Sequence, residues 1–191
     1  MEIQVNEVYV LAENRQIETK RLILRPVVLE DAEDMFAYAS DEETTKFVFE
    51  QHRNLMETKI SIANYFMKEP LGKYAIEYKE NHQMIGTVDL RVNTNAGLGE
   101  LGYTLSKNYW GKGLMPEACE VLLQLGFEKL RLVRIEAIHD LRNHKSGRVM
   151  EKIGMTKECT LYDAKKLRGE VVDLVKYSLS NKEWQQRKAL Q

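Results

Sequence analysis

Gly111 and Gly113 flank Lys112 in the stretch Tyr109-Trp110-Gly111-Lys112-Gly113-Leu114-Met115-Pro116-Glu117-Ala118, where a strand pattern gives way to a helical one. These residue types suit an anion. The first turn of a helix leaves N–H groups without internal partners, and the helix dipole adds partial positive charge there. A phosphate accepts those donors directly. Glycine lacks a Cβ, so the oxygens can approach the backbone closely. Lys112 would add charge from the rim, and Pro116 suits a first turn that needs no N–H from it. The same residues would also make an ordinary glycine turn. Two well-known phosphate loops are excluded. A P-loop needs Ser or Thr after its lysine, where this chain has Gly113, and a Rossmann fingerprint needs a third glycine where this chain has Pro116.

Other reactive side chains give weaker patterns. Cys119 and Cys159 are far apart without paired-ligand spacing and read as buried thiols. His52, His82, His139 and His144 form no metal-binding pattern by spacing, so no metal is expected. Tyr103, Trp110 and Phe127 read as packing rather than as a platform for bases. The 191-residue chain has a net charge of −1, so no broad basic face for nucleic acid is advertised. No apolar run approaches the roughly 18 residues of a membrane span. Glu2 and Glu7 stand where a signal peptide would carry basic residues, and a cytoplasmic protein is expected.

The elements that must position the glycine loop follow from periodicity. Residues 1–18 show no clear period and read as an arm or an extra edge strand. Lys20–Arg25 predicts a strand and Leu29–Tyr38 a helix with an acidic first turn. A second helix is predicted over Leu55–Met67, with Ile60, Ala63 and Met67 on its apolar face. The acidic run Asp41-Glu42-Glu43 lies between these helices as a solvated face, or as an attractor for a cationic substrate. Tyr74–Tyr78 and Met84–Val92 form a predicted hairpin, and Gly99–Leu105 a further strand. After the glycine loop a helix runs to about Leu130, then a strand Val133–Ile138 and a helix Lys145–Ile153 capped by Gly154. Met155–Tyr162 and Val171–Leu179 close the chain as an antiparallel pair. This order predicts one α+β domain with a mostly antiparallel sheet and one parallel pair, formed by the strands on either side of the loop helix.

Taken together, several ordered motifs resemble one family. Asn108-Tyr109-Trp110-Gly111-Lys112-Gly113 is similar to the pyrophosphate-binding segment of the GNAT N-acetyltransferases, with Asn108 where Gln or Arg is usual. The preceding Gly99-Glu100-Leu101-Gly102-Tyr103-Thr104-Leu105 and the later Asn143-His144-Lys145-Ser146 and Val149–Met155 resemble its RimJ/RimL branch, which acetylates ribosomal proteins. The resemblance covers about residues 19–184, leaving 1–18 as an N-terminal arm and 185–191 as a tail. It implies the GNAT fold, in which the parallel strands splay apart, with acetyl-CoA as donor and a primary amine as acceptor. It also implies that the backbone of Tyr103, Thr104 and Leu105 binds the pantetheine arm. Trp110, Gly111, Lys112, Gly113 and Leu114 would hold the pyrophosphate, and Asn143 and Ser146 would lie near the sulfur.

Acetyl transfer asks that the amine lose a proton, that the oxyanion find donors, and that the departing thiolate be stabilised. On the strength of the resemblance, Glu100 is the expected base, with Glu136, Asp173 or a water chain as alternatives. Many relatives carry a tyrosine where this chain has Met150, so Ser146 is the expected donor to the thiolate. The acceptor is a protein N-terminus or a small amine such as a polyamine, amino acid or antibiotic. A non-catalytic acyl-CoA-binding module is the competing class. A homodimer through the last strands is compatible with the pattern.

Overall fold

The computed structural model describes residues 6–190. Eight strands form one sheet in the order β1-β2-β3-β4-β5-β6-β8-β7. Every neighbouring pair is antiparallel except β5 (Leu98–Leu105) and β6 (Arg134–Asp140). The parallel pair is the one expected, and helix α5 (Leu114–Gln124) makes the crossover between its strands. β3 (Lys73–Tyr78) and β4 (Gln83–Asn93) form the expected hairpin, as do β7 (Thr156–Leu167) and β8 (Glu170–Ser180).

Packing fixes the middle of the chain against the sheet. Helix α5 buries Leu114, Ala118, Cys119, Leu122 and Leu123 against the sheet, each at most 1% exposed. Burying a large apolar side chain stabilises by about 1.5–3 kcal/mol, so this face anchors the loop at the start of the helix. A π-turn at Leu125–Lys129 finishes it. Helix α6 (His144–Lys152) starts at the Asn143 cap and ends before Gly154, whose φ of 82° terminates it as expected.

Several details differ from the sequence expectations. The described part of the expected arm folds onto the domain as α1 (Glu7–Glu13), which buries Leu11, and a two-residue edge strand β1 (Ile17–Glu18). The first five residues of that stretch lie outside the described ones. β2 (Leu22–Arg25) then leads into α2 (Ala32–Ala39). The run Asp41-Glu42-Glu43 opens a short helix, α3 (Glu42–Thr45), and Asp41 caps it by accepting from the Thr44 N–H. Helix α4 (Leu55–Ser61) and the π-turn Ile62–Met67 bury Thr58, Ile62 and Phe66 instead of the predicted face, so Ile60, Ala63 and Met67 are exposed. The reason is a polar member of the stripe. Thr58 is fully buried because its hydroxyl pairs with His52 Nδ1 at 2.8 Å. Cys119 is buried as expected, but Cys159 on edge strand β7 is exposed. Helix α7 (Asn181–Ala189) crosses the position where a tail was expected to begin.

Candidate active site

β5 and β6 stay together for only three residue pairs, Leu98 with Arg134, Gly99 with Ile135 and Glu100 with Glu136. Beyond them each strand keeps its other partner. β5 remains on β4 as far as Leu105, and β6 remains on β8 as far as Asp140. The sheet therefore splits after Glu100. Two clefts meet at the split and share Leu101, Gly102, Tyr103, Thr104 and Ile138 in their walls.

The first cleft, of about 570 Å³, lies on the side of α5 and α6. Its floor at one end is the glycine loop. Gly111 and Gly113 both adopt the left-handed region, at φ 77° and 73°, which a side chain would strain. Among the described residues, no protein group accepts from the N–H of Gly111, Lys112, Gly113, Leu114 or Met115. Five unpaired amides at and just before a helix start suit an anion. Lys145, Arg148, Lys152 and Lys165 line the same cleft, and no carboxylate does. The loop is braced from behind by Arg21, which donates to the Lys112 carbonyl at 2.9 Å and pairs with Glu117 at 2.7 Å. Burial opposes the charge on Glu117, but bonds from Thr19 and Arg21 outweigh it and hold its carboxyl below the usual range.

Farther along this cleft, Asn143 Oδ1 accepts from the Ser146 N–H at 3.3 Å and so fixes the start of α6. The Tyr103 hydroxyl donates to the Ser146 carbonyl at 2.9 Å and accepts from Ser146 Oγ at 3.0 Å. Burial pushes the Tyr103 hydroxyl far above the ordinary tyrosine pKa, so it stays protonated. Met150, 1% exposed, lines the same cleft. His139 also lines the cleft, donating from Nδ1 to the Asp140 carbonyl at 2.8 Å, and burial lowers its pKa. Trp110 turns its indole N–H to the Leu105 carbonyl at 2.8 Å and carries Lys145 over its ring at 3.8 Å. The Lys112 ammonium sits over the ring of Tyr109, a residue of the cleft wall, at 5.0 Å.

The second cleft, of about 1020 Å³, lies on the side of α2 and α4. Four carboxylates reach it, from Glu50, Glu57, Asp89 and Glu100, together with Arg53, Arg91 and Arg168. Glu100 sits at the fork where the strands part, half exposed, and accepts from Arg91 at 2.8 Å. Arg91 also holds Asp89 at 2.5 Å, and Tyr65 donates to the other Asp89 oxygen at 2.7 Å. Burial and that bond push the Tyr65 hydroxyl up to about 12. Gly102 makes room for the network, since a Cβ there would lie 2.4 Å from Asp89 Oδ1.

The alternative carboxylates lie elsewhere. Glu136 pairs with Lys176 at 2.6 Å and Arg134 at 2.9 Å; despite an opposing burial effect, these cations hold its carboxyl below the usual range. Asp173 accepts from the Asp163 N–H at 2.9 Å. Neither lines either of these two clefts. Asp41 and Glu43 are engaged by Lys107 at 2.5 Å and Lys145 at 3.3 Å, which leaves little of the acidic run for a cationic substrate. The described residues hold no cluster of metal-ligating side chains, and no described helix is long and apolar enough to cross a membrane. Sequence reading missed Asp89, Arg91 and Tyr65. The charges at Asp89 and Arg91, two apart within an otherwise apolar strand, were the available signal, since such spacing puts both on one face.

Comparison with known proteins agrees with this geometry. The family described as acetyltransferase (GNAT) domain matches residues 21–156. The uncharacterized N-acetyltransferase p20 of Bacillus licheniformis is 33% identical over 87% of this chain and 96% of its own. A B. subtilis protein named "Putative ribosomal N-acetyltransferase YdaF" is 38% identical over 47% of this chain and 49% of its own. The crystal structure of a GNAT-family acetyltransferase from Bacillus anthracis superposes with a TM-score of 0.80 at 25% identity, covering 88% of this chain and 99% of that one. The split sheet, the unpaired loop amides and these similarities converge: this chain belongs to the GNAT family of N-acetyltransferases.

Proposed function

We propose that the chain transfers the acetyl group of acetyl-CoA directly to a primary amine, with the donor in the first cleft and the acceptor in the second. The observation that carries this is the row of unpaired amides from Gly111 to Met115, placed so that a chain running from them enters the split. The amides would take the pyrophosphate, with Lys145, Arg148 and Lys152 around it. The pantetheine arm would follow the edge of β5 at Tyr103, Thr104 and Leu105, where β6 has parted from it. Its thioester would then lie at the fork, within reach of both clefts. Direct transfer is favoured over an acyl-enzyme because Cys119 is fully buried, which pushes its thiol pKa up and keeps it inert.

Each step then has a group to serve it. Glu100, directly or through water, takes the proton of the ammonium, and the freed nitrogen attacks the acetyl carbon. An amide on the unpaired edge of β5 steadies the oxyanion. The carbon–sulfur bond breaks, the second proton of the nitrogen leaves to water, and Ser146 Oγ, swinging from Tyr103, donates a hydrogen bond to the departing thiolate. Holding both substrates at the fork supplies much of the rate.

For the acceptor we favour a protein N-terminus. The second cleft is broad enough for an extended chain, and one relative carries a ribosomal name. A CoA-release assay across N-terminal peptides, polyamines, amino acids and aminoglycosides tests this, with mass spectrometry locating the acetyl group. N-terminally acetylated peptide is the expected product; acetylation of small amines alone overturns the protein-acceptor reading. Glu100→Gln should lower kcat about 10²–10⁴-fold while leaving acetyl-CoA affinity intact. A Glu100→Gln enzyme of normal turnover would remove Glu100 from the mechanism. Saturable CoA binding without turnover on any amine would favour a binding module instead.

A further inference from the structure

Two arginines of the second cleft, Arg53 and Arg168, form no ion pair among the described residues, and of the two only the Arg168 guanidinium is hydrogen-bonded to the protein. The tip of the β7–β8 hairpin is a two-residue turn, Arg168 at φ 52° and Gly169 at φ 79°, between the paired Leu167 and Glu170. Both central residues at positive φ fit the tight turn that the twist of a hairpin prefers. The turn projects the Arg168 side chain across to the segment that links α3 with α4. There Nη2 donates to Thr45 Oγ1 at 2.8 Å and to the Phe49 carbonyl at 3.1 Å. Thr45 is itself fully buried and donates onward to the Asp41 carbonyl at 3.0 Å, so the anchor is firm.

Both acceptors are neutral. Among the described residues Arg168 makes no ion pair, and its Nε is buried without a partner. The nearby carboxylates are occupied or apart. Asp89 and Glu100 hold Arg91, Glu57 accepts from the Arg53 N–H at 2.7 Å, and the neighbouring Glu170 pairs with Arg142. Glu50 lines the cleft and forms no ion pair with Arg168. Arg21, Arg25, Arg91, Arg134, Arg142 and Arg187 each have a carboxylate partner. Among the described residues Arg15, Arg53, Arg131 and Arg148 have none, but these are exposed, whereas Arg168 is half-buried and held by its guanidinium. A guanidinium fixed by neutral groups in a partly closed cleft, with donors to spare, is prepared for a carboxylate from outside.

We propose that Arg168 determines acceptor specificity by binding a carboxylate of the acceptor, so that the preferred substrate is an amine that also carries a negative charge. The amine end lies toward Glu100 and the carboxylate end toward the hairpin tip. Two sources share this chemistry: an acidic side chain close behind a protein N-terminus, or the carboxylate of a free amino acid. The inference rests on the amine-transfer reading above.

The test uses the full-length enzyme and acetyl-CoA. One arm compares C-terminally amidated peptides bearing Asp or Glu at the second or third position with their Asn or Gln counterparts. The other compares free amino acids with their amides. The wild type should favour the acidic member of one series at least about 10-fold in kcat/KM, the usual worth of a charge-assisted hydrogen bond. Arg168→Gln should erase that preference by raising KM for the acidic acceptor alone, with KM for acetyl-CoA and turnover of the neutral acceptor unchanged. Arg168→Lys, which keeps the charge, should restore part of the preference. Equal rates on acidic and neutral members, or equal damage to both in Arg168→Gln, would reduce Arg168 to a structural tie between hairpin and helix segment. Such a result would leave the amine-transfer reading standing. Acetyl-CoA binding with no turnover on any amine would sink both.

Discussion

The two clefts share one wall and differ in how they handle charge. Four cations and no carboxylate line the first, whereas four carboxylates and three arginines line the second. In the first, only Lys145 has a carboxylate partner, the exposed Glu43, and among the described residues Arg148, Lys152 and Lys165 form no ion pair around backbone amides that also lack partners. Such a site suits a ligand whose charge is large and always the same, as a diphosphate's is. In the second, Arg91 is already divided between Asp89 and Glu100, with Tyr65 completing the network. Polar networks of this kind fix geometry, and they recognise a ligand through whatever is left unpaired. The fixed half of the reaction is therefore written in main chain, and the variable half in side chains.

The pair at the junction offers the sharpest way to separate binding from chemistry. Tyr103 lines both clefts, and its hydroxyl holds the Ser146 proton. If Ser146 serves the thiolate, Ser146→Ala should lower kcat about 10–100-fold, the range for losing a hydrogen bond to a charged group, with acetyl-CoA affinity nearly unchanged. Tyr103→Phe removes the resting acceptor and leaves Ser146 free to turn, so it should cost much less in kcat. Steady-state kinetics with both variants checks this. Equal loss of kcat and of acetyl-CoA affinity in Ser146→Ala would make the serine a binding residue.

The next effect belongs to the first cleft alone. A Cβ at Gly111 would meet nothing within 4 Å, so Gly111→Ala creates no clash inside the protein. Its φ of 77° still makes alanine strained by about 1–2 kcal/mol. Thermal unfolding should register that loss in the absence of ligand. Acetyl-CoA affinity should fall by a further factor of about 10, because the new methyl group occupies the approach of the phosphate oxygens. Calorimetric titration that shows unaltered affinity would place the diphosphate elsewhere. Acceptor KM, set by the other cleft, should not change.

The same division decides what the sequence made legible. The glycine loop announces itself because its requirements are local: two residues at positive φ, a strand before them and a helix after them. The parallel pair could be inferred because a crossover helix needs one. Glu100 and Ser146 were reachable only through resemblance to a family. The network around Asp89 was not legible, since it joins β4, β5 and the π-turn after α4, which meet only in three dimensions. Arg168 lies farther still from view, as its anchors Thr45 and Phe49 are more than a hundred residues away in the chain. The buried face of α4 was misread because a threonine served where an apolar residue was sought. Periodicity cannot see a hydroxyl that finds a partner in the core.

The smallest effect tests whether the two clefts communicate. The segment from Asp41 to Asn54 stands between them, with Thr44 and Phe47 facing the first cleft, and Phe49 and His52 the second. On its first-cleft side it is tied by Lys107 to Asp41 and by Lys145 to Glu43. Lys145 and Glu43 are each 61% exposed, so this pair should stabilise the fold by less than about 1 kcal/mol. Its other consequence is competition. Lys145 lines the cofactor cleft, and a diphosphate arriving there would draw the ammonium away from Glu43. Glu43→Gln should therefore tighten acetyl-CoA binding by a factor of about 2–3 at low salt, with thermal stability almost unaltered. Raising salt from about 0.05 M to about 0.5 M should abolish the difference, because an exposed pair is screened over a few ångströms. Lys145→Ala should move affinity in the opposite direction. If Glu43→Gln also lowers acceptor KM, release of the segment at one cleft is felt at the other; if acceptor KM stays constant, the shared wall is rigid and each substrate binds independently.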